Sequence, residues 1–416
     1  MIPIKPTKLT TFLILMLCIG TNAAVHQNEQ GHYLSVSVQS MIDETVPYDT
    51  LWINGGYFFE NNILITKPIT IIGRQNPILD AGGQGQVLII RSDDVTIEGL
   101  TLKGSATSNM TENAGIKIEN ARRVKIIANT LCDNFFGVYL ANSVKCVVRD
   151  NIIRGGYERE SNSGNGIHLW QCDSIEITNN VISEHRDAIY LEFVINSHVF
   201  GNHCEDNIRY GLHFMFSNND QYRNNVFNNN GAGVAVMYSS RVEMTDNIFE
   251  NNLGPSSFGI LLKDITDSRI TGNQLLKNTI GIRLEGTSRI EIARNNIEDN
   301  GWAVLITANC TDNDFENNTF RYNSFDVSTN GKLVLNTFDQ NYWDKYEGYD
   351  LDRNGMGDVP FHPVSIFATV VSEVPEAIML YRSFTQYLMD RAEKAIPSVT
   401  PENLVDHEPL MKPSVL

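Results

Sequence analysis

An asparagine returns at a nearly constant interval through the middle of the chain: Asn129, Asn151, Asn180, Asn202, Asn225, Asn247, Asn273, Asn295 and Asn317, spaced by 22, 29, 22, 23, 22, 26, 22 and 22 residues. A unit of about 22 residues cannot bury its own apolar face, so a fixed period with two insertions restricts the chain to a stacked solenoid. Fourteen residues before each asparagine a short alternating segment begins, as in GIHL, AIYL, GLHF, GVAV and GIRL. Its period of two is that of a strand: the first and third residues after the start face inward, the second and fourth outward. Short strands, turns rich in Asn and Gly, and the lack of a helix-length amphipathic run in this region predict an all-β fold, a right-handed parallel β-helix solenoid. The recurring asparagines read as a structural ladder, each amide bonding those above and below, in turns whose left-handed backbone Asn tolerates. A second, partial column follows at Asn134, Asn207, Asn230, Asn252, Asn278 and Asn300.

The chain divides into three parts. Residues 1–24 carry Lys5 and Lys8 ahead of LTTFLILMLCIG and the small-residue stretch TNAA, the pattern of a cleaved secretory signal peptide; the apolar run is too short to span a bilayer. Residues 25–340 form the solenoid of about 22-residue coils. Within it, residues 33–46 have helix-compatible spacing and are expected to cap the open end, while insertions at 154–165 and 254–258 leave as loops. Residues 341–416 form a C-terminal cap with one helix over residues 375–395, carrying Ile378, Tyr381, Phe384, Leu388 and Ala392 on one face, and a Pro-rich tail expected to stay mobile until a partner orders it.

The formal charge is −17, and −19 without the two leader lysines, a balance that repels nucleic acid and anionic lipid but not cations. Five cysteines remain after the leader, with no CxxC pair; they spell neither a disulfide framework nor a zinc motif, and Cys146 and Cys204 fall on inward columns.

The outward columns hold the informative chemistry. Two residues after the start they read Lys117, Tyr139, His168, Tyr190, His213, Ala235, Leu261 and Arg283; four after, Glu119, Ala141, Trp170, Glu192, Met215, Met237, Lys263 and Glu285. Met215 and Met237 are expected one above the other, with His213 beside Met215 and Glu192 one coil below; Met244 falls on an inward column and reads as core. Thioethers and imidazole are soft and borderline donors that suit Cu(I) better than Ca²⁺ or Mg²⁺. They suit a protein-docking patch as well. The two readings are compatible, since a metal that must be handed on needs a protein-contacting site. Candidate copper ligands are therefore His213, Met215 and Met237, with His168 and Glu192 behind them. Further along, DLDRNGMGD places Asp350, Asp352, Asn354 and Asp358 at the spacing of a calcium loop around Gly355, but Phe361 stands where the bidentate Glu of an EF-hand belongs; the segment is either a Ca²⁺ site completed from elsewhere or a capping turn.

The Asn-rich coils, GLHFMFSNND with GVAVMYS, the block NYWDKYEGYDLDRNGMGDVPFHPV and the ending AEKAIPSVTPENLVDHEPLMKP together resemble the NosD family of periplasmic copper-binding maturation proteins of nitrous oxide reductase. The resemblance covers nearly the whole chain after the leader. It implies a periplasmic protein without catalytic activity that associates with the permease and ATPase of an inner-membrane ABC transporter. It implies exchange of copper with a donor protein and with nitrous oxide reductase, through the outward Met/His patch, with the C-terminal helix and tail as the transporter attachment. The rival is a polysaccharide lyase or uronate epimerase, whose chemistry needs cations against the uronate carboxylate and a base near the abstracted proton. A pure adhesion scaffold would leave the soft patch unexplained.

Overall fold

The computed structural model describes residues 37–108, 110–156, 159–331, 335–395 and 404–413; the leader expected over residues 1–24 lies outside them. Among the described residues, three parallel sheets of 13, 13 and 12 strands run along the chain, which visits them in rotation. In one coil Asp187–Glu192 lies in the third sheet, His198–Phe200 in the first and His203–Glu205 in the second. The solenoid begins at Thr50–Ile53 and its last paired strand is Tyr342–Trp343. Inward residues stack coil on coil: Ile189, Leu212, Val234, Ile260, Ile282 and Val304 are register partners and all fully buried. Met244 and the five cysteines among the described residues are buried too.

Asn202 shows how the ladder satisfies its own polar groups. Its backbone N–H and its Nδ2 both donate to Oδ1 of Asn225 one coil on (2.9 and 3.0 Å), and Nδ2 also donates to the carbonyl of Ile177 (2.9 Å). A fully paired amide row can sit at the edge of a dry core at no desolvation penalty. The ladder departs from the sequence alignment at one point: Asn295 bonds Asn318, because that coil is one residue longer, and Asn317 instead takes the left-handed turn at φ 56°. From Asn318 it continues to Asn341. The second column runs unbroken from Asn207 to Asn323.

The N-terminal end is closed by helix α1, Val38–Glu44, capped by the Ser37 hydroxyl and burying Val38 and Ile42. Gln39 of this helix exchanges two hydrogen bonds with the backbone of Leu64, so its side-chain amide acts as one more rung of the third sheet.

The C-terminal region differs from expectation in two ways. The single helix foreseen over residues 375–395 is a 3₁₀ turn, Pro375–Leu380, followed by α3, Phe384–Ala395. It is preceded by a helix that the sequence reading missed, α2, Ile366–Glu373. Pro375 disfavours a helical Val374, which sits at φ −130°, ψ 86°, and Arg382 takes φ 61°; both break the run. It is α2, with Phe367, Ala368 and Val371, that covers the end of the third sheet at Phe325. Of the foreseen apolar face only Tyr381 packs, on Phe325 at 5.6 Å; Ile378, Phe384, Leu388 and Ala392 are exposed. The described residues of the tail are likewise not free. Residues 404–413 return to the last coil, where Asp406, fully buried, accepts from Asn341 N (3.0 Å), Asn341 Nδ2 (3.2 Å) and Trp343 Nε1 (2.9 Å).

Candidate functional site

The outward face of the third sheet has the register the spacing predicts. Tyr139, His168, Tyr190, His213, Ala235 and Leu261 form one row of partners, and Trp170, Glu192, Met215, Met237 and Lys263 the next. Met215 therefore lies directly against Met237, with Glu192 on its other side. Burial on this face is greater than outward orientation alone suggests: Met215 and Met237 are half-buried and His213 is only 6 % exposed. The cause is a third outward row that the sequence reading did not use, the residues just before each start, which include Phe136, Asp187, Tyr210, Ala232 and Phe258. Phe258, delivered by the 254–258 loop, packs with Ala235 and Leu261 and helps seal the C-terminal half of the row.

His213 sits between the rings of Tyr190 (4.9 Å) and Tyr210 (4.8 Å). Its Nδ1 lies 3.4 Å from Oδ2 of the buried Asp187 and 3.2 Å from Nη2 of Arg209, and its Nε2 is buried with no hydrogen-bond partner. Arg209 grips Asp187 with Nε at 3.1 Å and Nη2 at 2.8 Å. Burial pulls against the Asp187 carboxylate, but His213 and Arg209 hold it below the usual range. One signal could have revealed this pair: Asp187 and Arg209 stand 22 residues apart, one coil, at neighbouring places in the repeat. The Tyr190 hydroxyl donates to the Met215 sulfur (3.4 Å).

His168 does not join this group. The ring of Tyr190 stands between it and His213, tilted against His168 at 4.7 Å, and the Asn165 amide holds its Nδ1 at 3.0 Å. Burial, aided by the Arg186 charge, pushes its pKa down to about 3, so the ring stays neutral. It lines instead an open groove of about 510 Å³ with Tyr139, Trp170 and Glu192. The lysine of that groove, Lys117, is held between Glu112 (3.7 Å) and Glu119 (3.1 Å).

Beside the Met row runs a stack of exposed aromatics. Phe193, Phe216 and Tyr238 follow directly after Glu192, Met215 and Met237, with ring centroids 5.2 and 5.1 Å apart and planes within 14° of parallel. All three have left-handed backbones, at φ 54°, 51° and 54°, in a turn that other coils fill with Asn120, Asn142, Gln171, Asp264 and Gly286. A bulky residue there costs about 1–2 kcal/mol relative to Gly or Asn, and the rings remain 40–46 % exposed, so they return little by burial. The stacked contacts return about 0.5–1.5 kcal/mol. Phe216→Asn should therefore leave the denaturant midpoint equivalent to within about 1 kcal/mol of the parent; a loss above about 2 kcal/mol in urea titration would make the ring a structural element.

The acidic turn is closed on itself. Asp350 accepts from Asn354 N (3.1 Å) and Gly355 N (2.9 Å), Asp352 from Asn354 N (3.2 Å), Asn354 Oδ1 from Met356 N (2.7 Å) and Asp358 from Leu351 N (2.6 Å). Each of these bonds runs from a backbone N–H of the turn to one of its own side chains. Among the described residues no group of three or more His, Cys, Asp or Glu is placed to hold a metal ion. None of the described helices is long and apolar enough to cross a membrane.

Fold and surface define a capped β-solenoid with a half-buried Met/His patch flanked by exposed aromatics. Residues 150–348 match the family model described as periplasmic copper-binding protein (NosD). The chain is 29 % identical over 392 residues to a probable ABC transporter binding protein NosD of Pseudomonas aeruginosa, covering 88 % of this chain and 89 % of that one. It is 28 % identical over 380 residues to the protein of the same description from Stutzerimonas stutzeri, covering 85 % of each. These matches bear out the resemblance to the NosD family. Among solved structures, the surface adhesin PfbA of Streptococcus pneumoniae shares the fold with a TM-score of 0.56 at 12 % identity, over 77 % of this chain and 89 % of that one. A PL6 alginate lyase does so at 0.56 and 14 %, over 77 % and 84 %.

Proposed function

We propose that this protein is a periplasmic accessory that carries copper, as Cu(I), to the copper sites of nitrous oxide reductase, in association with the permease and ATPase of an inner-membrane ABC transporter. It has no catalytic activity of its own and receives its ion from a copper-donor protein. The observation that carries this reading is a coincidence of rows: the coils that supply Glu192, Met215 and Met237 also supply Phe193, Phe216 and Tyr238. Soft donors and an uncovered aromatic surface on the same rungs are what a site for handing a soft ion between proteins requires, because aromatics and Met are enriched in interface cores. His213, with an unpartnered Nε2, supplies the imidazole. Glu192 lies at the edge of the patch, and His168 belongs to the neighbouring groove. At the other end, exposed Phe384, Leu388 and Met379 supply an apolar surface for the transporter.

The test is Cu(I) titration against a chromophoric chelator with the parent, His213→Ala, Met215→Leu and Met237→Leu. Each substitution should weaken binding about tenfold or more, with unchanged circular dichroism; equal affinity in all four proteins would remove this patch. The lyase or epimerase reading has one supporting observation, the aromatic groove in a fold shared with an alginate lyase. Its lysine is neutralised by two carboxylates, which is unfavourable for a polyuronate. Unsaturated products from alginate or pectate would establish that reading instead.

A further inference from the structure

We infer that Asp187, locked by Arg209, is the positioning residue that fixes the ring of His213 and its tautomer, leaving Nε2 as the atom offered to a soft metal ion. The inference rests on the proposed copper role of His213 but makes a separate prediction about the metal-free protein. Asp187 is completely buried, and its four contacts converge: Oδ1 accepts from Arg209 Nε (3.1 Å) and Tyr210 N (3.3 Å), and Oδ2 from Arg209 Nη2 (2.8 Å), with His213 Nδ1 at 3.4 Å. The carboxylate cannot turn, because three donors from the next coil hold it.

Two neighbours compete for Nδ1. If Arg209 donated to it across 3.2 Å, the proton of His213 would sit on Nε2, a buried N–H with no acceptor. Orphaned buried donors are rarer than orphaned acceptors and cost about 1–3 kcal/mol. If Nδ1–H donates to Asp187, the full negative charge accepts the proton, the guanidinium stays committed to its two-point grip, and Nε2 is left with a free lone pair. That is the arrangement in which a carboxylate behind a metal-ligating histidine sets its tautomer and raises its basicity. Tyr190 and Tyr210 pack against the ring, edge-on at 4.9 Å and tilted at 4.8 Å, and these contacts oppose a rotation that would offer Nδ1 instead.

The experiment uses the full chain at one fixed neutral pH. Nitrogen chemical shifts of ¹⁵N-labelled histidines, assigned with His213→Ala, report the tautomer in the metal-free protein. The expected result is Nδ1–H for His213 in the parent and a shift toward Nε2–H in Asp187→Asn. Cu(I) affinity should fall about 10–100-fold in Asp187→Asn. An Nε2–H tautomer in the parent, or an Asp187→Asn protein that folds and keeps both tautomer and affinity, would overturn the inference. The parent measurement stands even should the variant not fold. If copper binds elsewhere, His213→Ala keeps full affinity while the tautomer still reports on Asp187, so the two failures are distinguishable.

Discussion

Asp406→Ala should release the C-terminal strap and lower the stability of the last coils by about 3–5 kcal/mol. The substitution strands two donors at once, Asn341 N and Trp343 Nε1, at a place with almost no exposure to water, while Asn341 Nδ2 keeps the carbonyls of Phe315 and Asp339. Each buried donor left without an acceptor costs about 1–3 kcal/mol. Solenoids are stabilised by coil-to-coil contacts and fray from uncapped ends, so the loss should appear as an early phase in urea unfolding and as rapid proteolysis beyond residue 396. Glu408→Ala, which removes an exposed carboxylate from the same strap, is the control and should change neither. Intact proteolytic resistance in Asp406→Ala would mean that the backbone pairing of Phe361 with Asp406 suffices. A practical consequence concerns the transporter: deleting the whole tail removes the lid of the solenoid along with any docking segment. Phe384→Ser with Leu388→Ser tests attachment without that damage, and co-purification should drop while the fold persists.

The second large effect is on pH dependence. Asp220 is fully buried; its Oδ1 accepts from Ser197 N at 2.8 Å and its Oδ2 has no partner. Burial pushes its pKa up to about 8. A carboxyl whose folded pKa exceeds its unfolded value of about 3.9 binds more protons when folded. Its contribution to stability is complete below about pH 4 and is lost as pH rises towards about 8. The loss proceeds at up to about 1.4 kcal/mol per unit. Asp220→Asn should abolish that dependence, since Asn313 in the same column uses an amide there, accepting from Ile290 N and donating to the Thr287 carbonyl. Between pH 6.5 and 8 the advantage of the variant should grow by about 2 kcal/mol and then level off. On the acid side the sign reverses: burial lowers His168 to about 3 and His185 to about 4, so their contribution is present above the unfolded value near 6.5 and fades as pH falls. Parallel denaturation curves of parent and variant across pH 6.5–9 would show that Asp220 is not the group responsible.

Much of the candidate site was legible before any coordinates. A period of two within a period of 22 is enough to state which side chains share a row, and Met215 against Met237, Tyr190 against His213 and Met244 in the core all follow from counting. Counting failed where the period itself changed, at Asn318. It invoked left-handed backbone only at the asparagine turns and gave no weight to the turn that follows the outward columns. Three aromatics in a place suited to Asn or Gly are visible in the sequence only once the turn has been located.

The repeat alone determined the solenoid, the inward and outward faces and the adjacency of the two thioethers, because side-chain direction in a strand depends only on parity and stacking only on period. Tertiary structure decided how deeply His213 is covered, which carboxylate and guanidinium converge on it, that the tail closes the last coil, and that α2 rather than α3 seals the end. Those outcomes depend on which loop or neighbouring ring fills a given space, a property of contacts between distant residues that no local pattern encodes.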